Sequence, residues 1–152
     1  MISFQTLDIN FKLKNKTILK HWIAAVIEKK KRRVDQLTFI FCSDEYLLNI
    51  NKKYLNHNTY TDIITFDYSK ADIKLPISGD IFISIDRVKE NASIYSKTFE
   101  NELHRVMIHG TLHLLGYSDK TKIAKKEMTK QEDNCLKIIE TFFKQYTYYA
   151  SA

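Results

Sequence analysis

The stretch His109-Gly110-Thr111-Leu112-His113-Leu114-Leu115-Gly116-Tyr117-Ser118-Asp119 decides how the rest of the chain is read. At about 3.6 residues per turn, His109 and His113 project from one helix face, their stems about 6 Å apart along the axis. Two imidazole nitrogens can therefore converge on one metal ion. Gly116 suits the position just past a helix end, where the backbone often turns left-handed and glycine does so without strain. The chain can then fold back and present Asp119 as a third ligand. Two nitrogens and one carboxylate leave a fourth position open on a zinc ion, the pattern of a catalytic rather than a structural site. The function this pattern predicts is a metal-dependent hydrolase. A histidine pair four apart in an apolar helix also arises by chance, and two features weigh against chance here. Gly110 sits inside the predicted helix, where glycine costs roughly 1 kcal/mol relative to alanine, so a close approach to a neighbouring element is expected. The chain holds three glycines, and two of them lie in this stretch.

Working outward, the helix that carries the pair is expected to begin near Phe99 and reach Leu115. Glu102, Arg105, Val106, His109 and His113 fall on neighbouring positions of it. Arg105, one turn before His109, is a candidate catalytic and substrate-binding cation for a phosphate. A surface ion pair with Glu102 is the alternative. His104 lies about 140° round the helix from His109 and should not share the metal. After Asp119, Thr121 is placed to cap a long final helix reaching about Tyr146, with Ile123, Met128, Cys135, Leu136, Ile139, Phe142 and Phe143 in its packing stripe. The tail Tyr146-Thr147-Tyr148-Tyr149 offers rings for stacking on RNA bases, or a frayed terminus.

Upstream, residues 2–13 read as one broken or two short strands, with Phe11 and Leu13 alternating against Asn10 and Lys12. Thr17 is a candidate cap for a helix from Ile18 to about Arg33, whose apolar stripe is Leu19, Trp22, Ile23, Val26 and Ile27. It ends in Lys29-Lys30-Lys31-Arg32-Arg33, which either complements the helix dipole or forms a phosphate-binding patch. Leu37 to Cys42 is a buried strand by composition. Ser43, Asp44 and Glu45 open a helix over 44–54, and Asp62–Tyr68 reads as a strand. Residues 69–78, with the only proline, Pro76, form an exposed connection. Gly79–Ile85 is a strand with Ile81, Ile83 and Ile85 on one face, and Asp86 is a candidate cap for a helix over 87–97. Thr61 and Asp62, at a strand start, either line a cleft or satisfy loop donors. Asp62 and Asp80 are the candidate general bases, and His57 reads as a surface histidine.

These elements predict an α+β (α/β-like) fold: a small mixed sheet of four to five strands packed by helices, the metal helix followed by a long C-terminal helix. The 152 residues are expected to form one domain, 1–152. A net charge of +6 is compatible with a polyanionic partner such as RNA. No apolar run approaches the ~20 residues of a membrane span, and Met1-Ile2-Ser3-Phe4-Gln5 lacks the layout of a signal peptide. Cys42 and Cys135 are too few for a disulfide framework. A cytosolic, reduced protein without a membrane partner is expected.

The run from His109 resembles the His-Gly-x-Leu-His-Leu-x-Gly-Tyr-Asp-His signature of the YbeY family of ribosome-associated, metal-dependent endoribonucleases. His109, Gly110, Leu112, His113, Leu114, Gly116 and Tyr117 match in register, and Ser118-Asp119 replaces the final Asp-His. A second segment, Ile50 to Phe66, is similar to the family's Leu-Asn-x-x-Tyr-Arg-x-x-Asp-x-Pro-Thr-Asp-Val-Leu-Ser-Phe. Asn51, Tyr54, Thr61, Asp62 and Phe66 match, whereas the family's arginine, implicated in its activity, is Leu55 here. Gly79-Asp80-Ile81 matches the family's Gly-Asp-Ile strand. The resemblance covers roughly residues 35–135. It implies a single Zn²⁺ held by His109, His113 and, in place of the third histidine, Asp119. It also implies a single-strand-specific, zinc-dependent endoribonuclease of the bacterial cytoplasm, acting in rRNA processing (small-subunit rRNA maturation) and ribosome quality control. The partners implied are single-stranded or ribosomal RNA and the small ribosomal subunit with its assembly factors. Two other readings stand beside it: a non-catalytic ribosome- or RNA-associated protein with a structural or vestigial metal site, and a metalloprotease or amidase. The last commonly uses His-Glu-x-x-His, and Gly110 stands where that glutamate would be.

Overall fold

The computed structural model describes residues 1–70 and 72–151, with only the backbone described over 148–151. The elements are β1 (Ile2–Thr6), α1 (Lys16–Lys29), β2 (Val34–Cys42), α2 (Asp44–Leu55), β3 (Ile63–Asp67), β4 (Ile77–Ser84), α3 (Ile85–Ile94), α4 (Phe99–Leu114) and α5 (Lys122–Ser151). The strands form a mixed sheet in the order β1-β2-β4-β3, with β1 and β4 parallel to β2 and β3 antiparallel to β4. The fold is α+β, as the pattern predicts.

Period-two alternation sorts the strands between two cores. Leu37, Phe39 and Phe41 of β2 and Ile77, Ile81 and Ile83 of β4 pack with α1, α4 and α5. Cys42, Ile64, Phe66 and Phe82 lie on the other face with Leu47 and Ile50 of α2. Trp22 of α1 is fully buried and donates Nε1–H to the Cys135 carbonyl of α5 at 2.9 Å, so its one polar atom is satisfied in the core. Lys30 Nζ joins the same helices to the metal-site turn, bonding Tyr117 Oη at 2.9 Å and Gln131 Oε1 at 2.8 Å. Within the basic run, that lysine is a tie between elements.

Gly110 explains itself by contact. A Cβ there would meet Ile63 Cδ1 at 2.8 Å and Ile81 Cγ2 at 2.9 Å, so the missing side chain lets α4 lie directly on β3 and β4. The approach sets the height of His109 and His113 above the sheet.

Several expectations need correction. Residues 2–13 hold one strand, Ile2–Thr6. The alternation at Phe11 and Leu13 comes from packing rather than from a ladder: Phe11 sits edge-on to Phe41 at 5.3 Å and to Phe99 at 5.9 Å. The first helix starts at Lys16, with Asn15 rather than Thr17 at its N-cap in a left-handed conformation, and no side chain caps it. It stops at Lys29 because Lys31 turns left-handed (φ 58°) and the chain enters β2 at Val34. The third helix is capped by Ser84, whose Oγ accepts from Arg87 N at 3.1 Å; Asp86 instead accepts from Asp44 N at 2.9 Å. Thr121 does cap the last helix, accepting from Ala124 N at 3.0 Å; of the expected stripe, Ile123 in the first turn is exposed, because the helix meets the core only from Met128 on. The side chains of Tyr148 and Tyr149 lie outside the described residues.

Candidate metal centre

The end of α4 builds the site through its own backbone. Leu115 is the C-cap and Gly116 follows with φ 101°. Gly116 N donates to His113 O at 3.0 Å and Tyr117 N to Leu112 O at 3.0 Å, the paired bonds of a Schellman motif. This turn aims the Tyr117 carbonyl back at His113, whose Nδ1 donates to it at 3.0 Å. Two residues on, it delivers Asp119.

His109 Nε2 and His113 Nε2 stand 3.0 Å apart, and each is 3.4 Å from Asp119 Oδ2. For bonds of about 2.0–2.1 Å, tetrahedral ligand atoms lie about 3.3–3.4 Å from one another. The two edges to Asp119 have that length, and the edge between the imidazoles is shorter by a few tenths of an ångström. His109, His113 and Asp119 are the group of three metal-competent side chains found among the described residues.

The protons on the two rings complete the case. Tyr117 O and Glu132 can only accept from His113 Nδ1 and His109 Nδ1, the latter at 2.6 Å. Both protons therefore sit on Nδ1, and both Nε2 lone pairs face each other and a carboxylate oxygen. Three acceptors at such separations repel unless a proton or a metal ion lies between them. The donor set suits Zn²⁺, with two imidazoles and one carboxylate on one side of the ion and the cleft on the other. In the absence of metal, burial pulls His109 down, but the Glu132 carboxylate and then Asp119 outweigh it, and its pKa rises. His113 goes down, through burial first and the charge of His109 second.

Glu132 escaped the sequence reading. It is only 7% exposed, comes from α5, and uses both oxygens: Oε2 on His109 and Oε1 on Arg105 NH1 at 2.8 Å. Nothing local marks it, because its partner lies 23 residues away on another helix. Its place in the α5 stripe next to Met128 and Cys135 was the available signal.

Arg105 pairs with Glu132 and, through NH2, with Asp133 at 2.6 Å, rather than with Glu102, the alternative partner on its own helix. It lines a small cavity of about 250 Å³ together with Asp62, Glu102, His109 and Glu132. The triad itself opens into a larger cleft of about 610 Å³ lined by Leu55, His57, Tyr60, Thr61 and Asp62. Thr61 and Asp62 thus line a cleft, and Thr61 Oγ1 also donates to Ile63 O at 3.2 Å. The Asp62 carbonyl accepts from Ser84 N at 2.9 Å, which pins the approach to β3 against the end of β4. Burial pushes the Asp62 carboxyl up, opposed by the nearby His109. Asp80 is removed from the site: paired with Phe66 across the hairpin, it accepts from Tyr68 Oη at 2.8 Å on the α2 side of the sheet. His104 stays apart from the metal group, as its helical phase requires, packed against Trp22 and Phe143.

The sequence model described as "Endoribonuclease YbeY" matches residues 1–140, a wider span than the two motifs cover. The chain belongs to the YbeY family. The Endoribonuclease YbeY of Cytophaga hutchinsonii is 48% identical over 131 residues, 86% of this chain and 90% of that protein. That of Flavobacterium psychrophilum is 47% identical over 138 residues, 91% of this chain and 96% of its own length. Among solved structures, TM1509 from Thermotoga maritima matches at 25% identity with a TM-score of 0.67, covering 96% of this chain and 93% of that one. Within the YbeY pattern, the departures at Asp119 and Leu55 fall in the same cleft. No described helix is long and apolar enough to cross a membrane.

Proposed function

We propose that this chain is a single-strand-specific, zinc-dependent endoribonuclease of one domain that acts in rRNA processing, including small-subunit maturation, and in ribosome quality control. Its working place is the bacterial cytoplasm, and its partners are ribosomal RNA and the small subunit with its assembly factors. The observation that carries the reading is the pair of Nε2 lone pairs facing the Asp119 carboxylate at 3.0–3.4 Å beside an open cleft. Family membership supplies the RNA substrate.

His109, His113 and Asp119 would hold Zn²⁺, which when bound would supply Lewis-acid chemistry toward a phosphoryl oxygen and a water molecule near neutral pH. Glu132 and the Tyr117 carbonyl keep the ring protons on Nδ1, so that both imidazoles offer Nε2. Asp62, on the cleft wall, is the proton acceptor; its carboxyl is raised by burial, which makes it a better base than an exposed aspartate. Thr61 offers a hydroxyl to the substrate. Arg105 holds Glu132 in place and lends its charge from the smaller cavity it shares with Asp62 and His109. The family arginine is Leu55 here, so the substrate phosphate is met without that cation.

Cleavage of single-stranded and duplex ribosomal RNA fragments by zinc-loaded protein, with and without chelator, tests the reading. Chelator-sensitive cleavage of the single strand, lost in His113→Ala, is expected. A zinc-loaded protein that binds RNA and cleaves none of it would refute the catalytic role and favour a binding role.

A further inference from the structure

Tyr60 is placed as no folding requirement explains. It is 52% exposed although it lines the cleft that holds His109, His113 and Asp119. An Arg87 guanidinium lies over the ring, 5.4 Å from its centroid. That guanidinium is held by Asp44 at 2.8 Å and Glu90 at 3.1 Å, and Asp44 in turn accepts from Ser84 Oγ at 2.9 Å. The ring is therefore braced by a cation whose own position is set by α2, α3 and the end of β4. An exposed tyrosine usually samples several rotamers; one supported in this way presents a preorganised apolar surface at low entropic cost.

We propose that Tyr60 is the base-stacking residue of the substrate site, receiving an unpaired nucleobase of single-stranded RNA while the adjoining phosphate lies at His109, His113 and Asp119. The proposal rests on the endoribonuclease reading and names the part of the substrate that the cleft grips. Every base has a π-face, so a braced ring binds without demanding a sequence. A base inside a duplex is covered on both faces by its neighbours, so the same ring selects single strands. Asp62 follows Tyr60 by two residues, at most about 7 Å of extended chain, and both line the cleft that holds His109, His113 and Asp119. Thr61, between them in the chain, lines the same cleft. A cleft of about 610 Å³ has room for a nucleotide.

The test compares zinc-loaded native protein with Tyr60→Leu, Tyr60→Phe and Tyr60→Trp on a single-stranded oligoribonucleotide. KM and kcat are read by cleavage, binding by fluorescence anisotropy, and zinc by metal analysis. Tyr60→Leu should raise KM and the dissociation constant roughly 5- to 150-fold, the range of one lost base–ring stack. Tyr60→Phe and Tyr60→Trp should keep native values, and all variants should keep their zinc. A substrate carrying an abasic nucleotide at the scissile step should cost the native protein the same factor and Tyr60→Leu nothing more, because the two changes remove one contact. Native affinity in Tyr60→Leu, loss of zinc from it, or additive losses with the abasic substrate would overturn the proposal. The two readings fail separately. Tyr60-dependent binding by a protein that never cleaves RNA would sink the catalytic reading and leave the stacking site. Cleavage indifferent to Tyr60 would do the reverse.

Discussion

Changing Glu132 to glutamine alters one atom and should disarm the metal site. The carboxylate accepts twice, from His109 Nδ1 at 2.6 Å and from Arg105 NH1 at 2.8 Å. An amide has one oxygen and one NH₂, so it can accept from only one of these donors. Arg105 is always charged and always a donor, and it claims the oxygen. The NH₂ then faces His109 Nδ1, which must become the acceptor, and the ring proton moves to Nε2. That is the atom 3.4 Å from Asp119 and 3.0 Å from His113, and protonated it cannot ligate. Loss of a partner that orients a ligand typically weakens metal binding about 10- to 100-fold, or about 1.4–2.7 kcal/mol. Competition against a chelator of known zinc affinity measures it. Glu132→Gln combined with Arg105→Met should recover part of the loss, since the amide oxygen is then free to accept from His109. Native affinity in the single variant, or no recovery in the double, would refute the tautomer argument.

Three other expectations follow from burial and packing. Burial holds His104 at about 4 in the folded chain against 6.5 unfolded, so the unfolded state binds more protons between these values. Its contribution is complete above pH 6.5 and lost as pH falls toward 4, at most about 3 kcal/mol; the native-minus-His104→Phe difference in urea stability should shrink from pH 7 to pH 5, and parallel profiles would contradict it. Gly110→Ala gains about 1 kcal/mol of helix propensity but drives a methyl against Ile63 and the fully buried Ile81. Overpacking costs about 1–3 kcal/mol, so a lower Tm is expected and a higher one would contradict the close approach. Burial pushes the Cys42 thiol up to about 12 and Cys135 up to about 11, so neither should react with a thiol reagent at pH 8 until the protein unfolds; stoichiometric labelling of folded protein would contradict the packing.

The parts legible in the chain are those whose causes are local. Four-residue spacing put His109 and His113 on one face, Gly116 announced the left-handed turn, and that turn carried Asp119 to them. Gly110 announced a close approach without naming Ile63 and Ile81, because those contacts are set by the sheet. The run Leu37–Cys42 marked a strand, yet its neighbours β1 and β4 come from pairings between distant segments that no periodicity encodes. Asp80 and Asp62 looked alike as residues at strand starts; side-chain alternation sends the first to the α2 face, while the second sits on the cleft wall. Glu132 and the Arg87 brace under Tyr60 are likewise contacts across elements.

The most direct test of the account is the zinc content of protein purified without chelator, as native, His113→Ala and Asp119→Ala. The arrangement of His109, His113 and Asp119 predicts about one zinc per chain in the native protein and its loss in both variants. A native protein that takes up no zinc when supplied with it, or an Asp119→Ala variant that keeps the full complement, would contradict the three-ligand site.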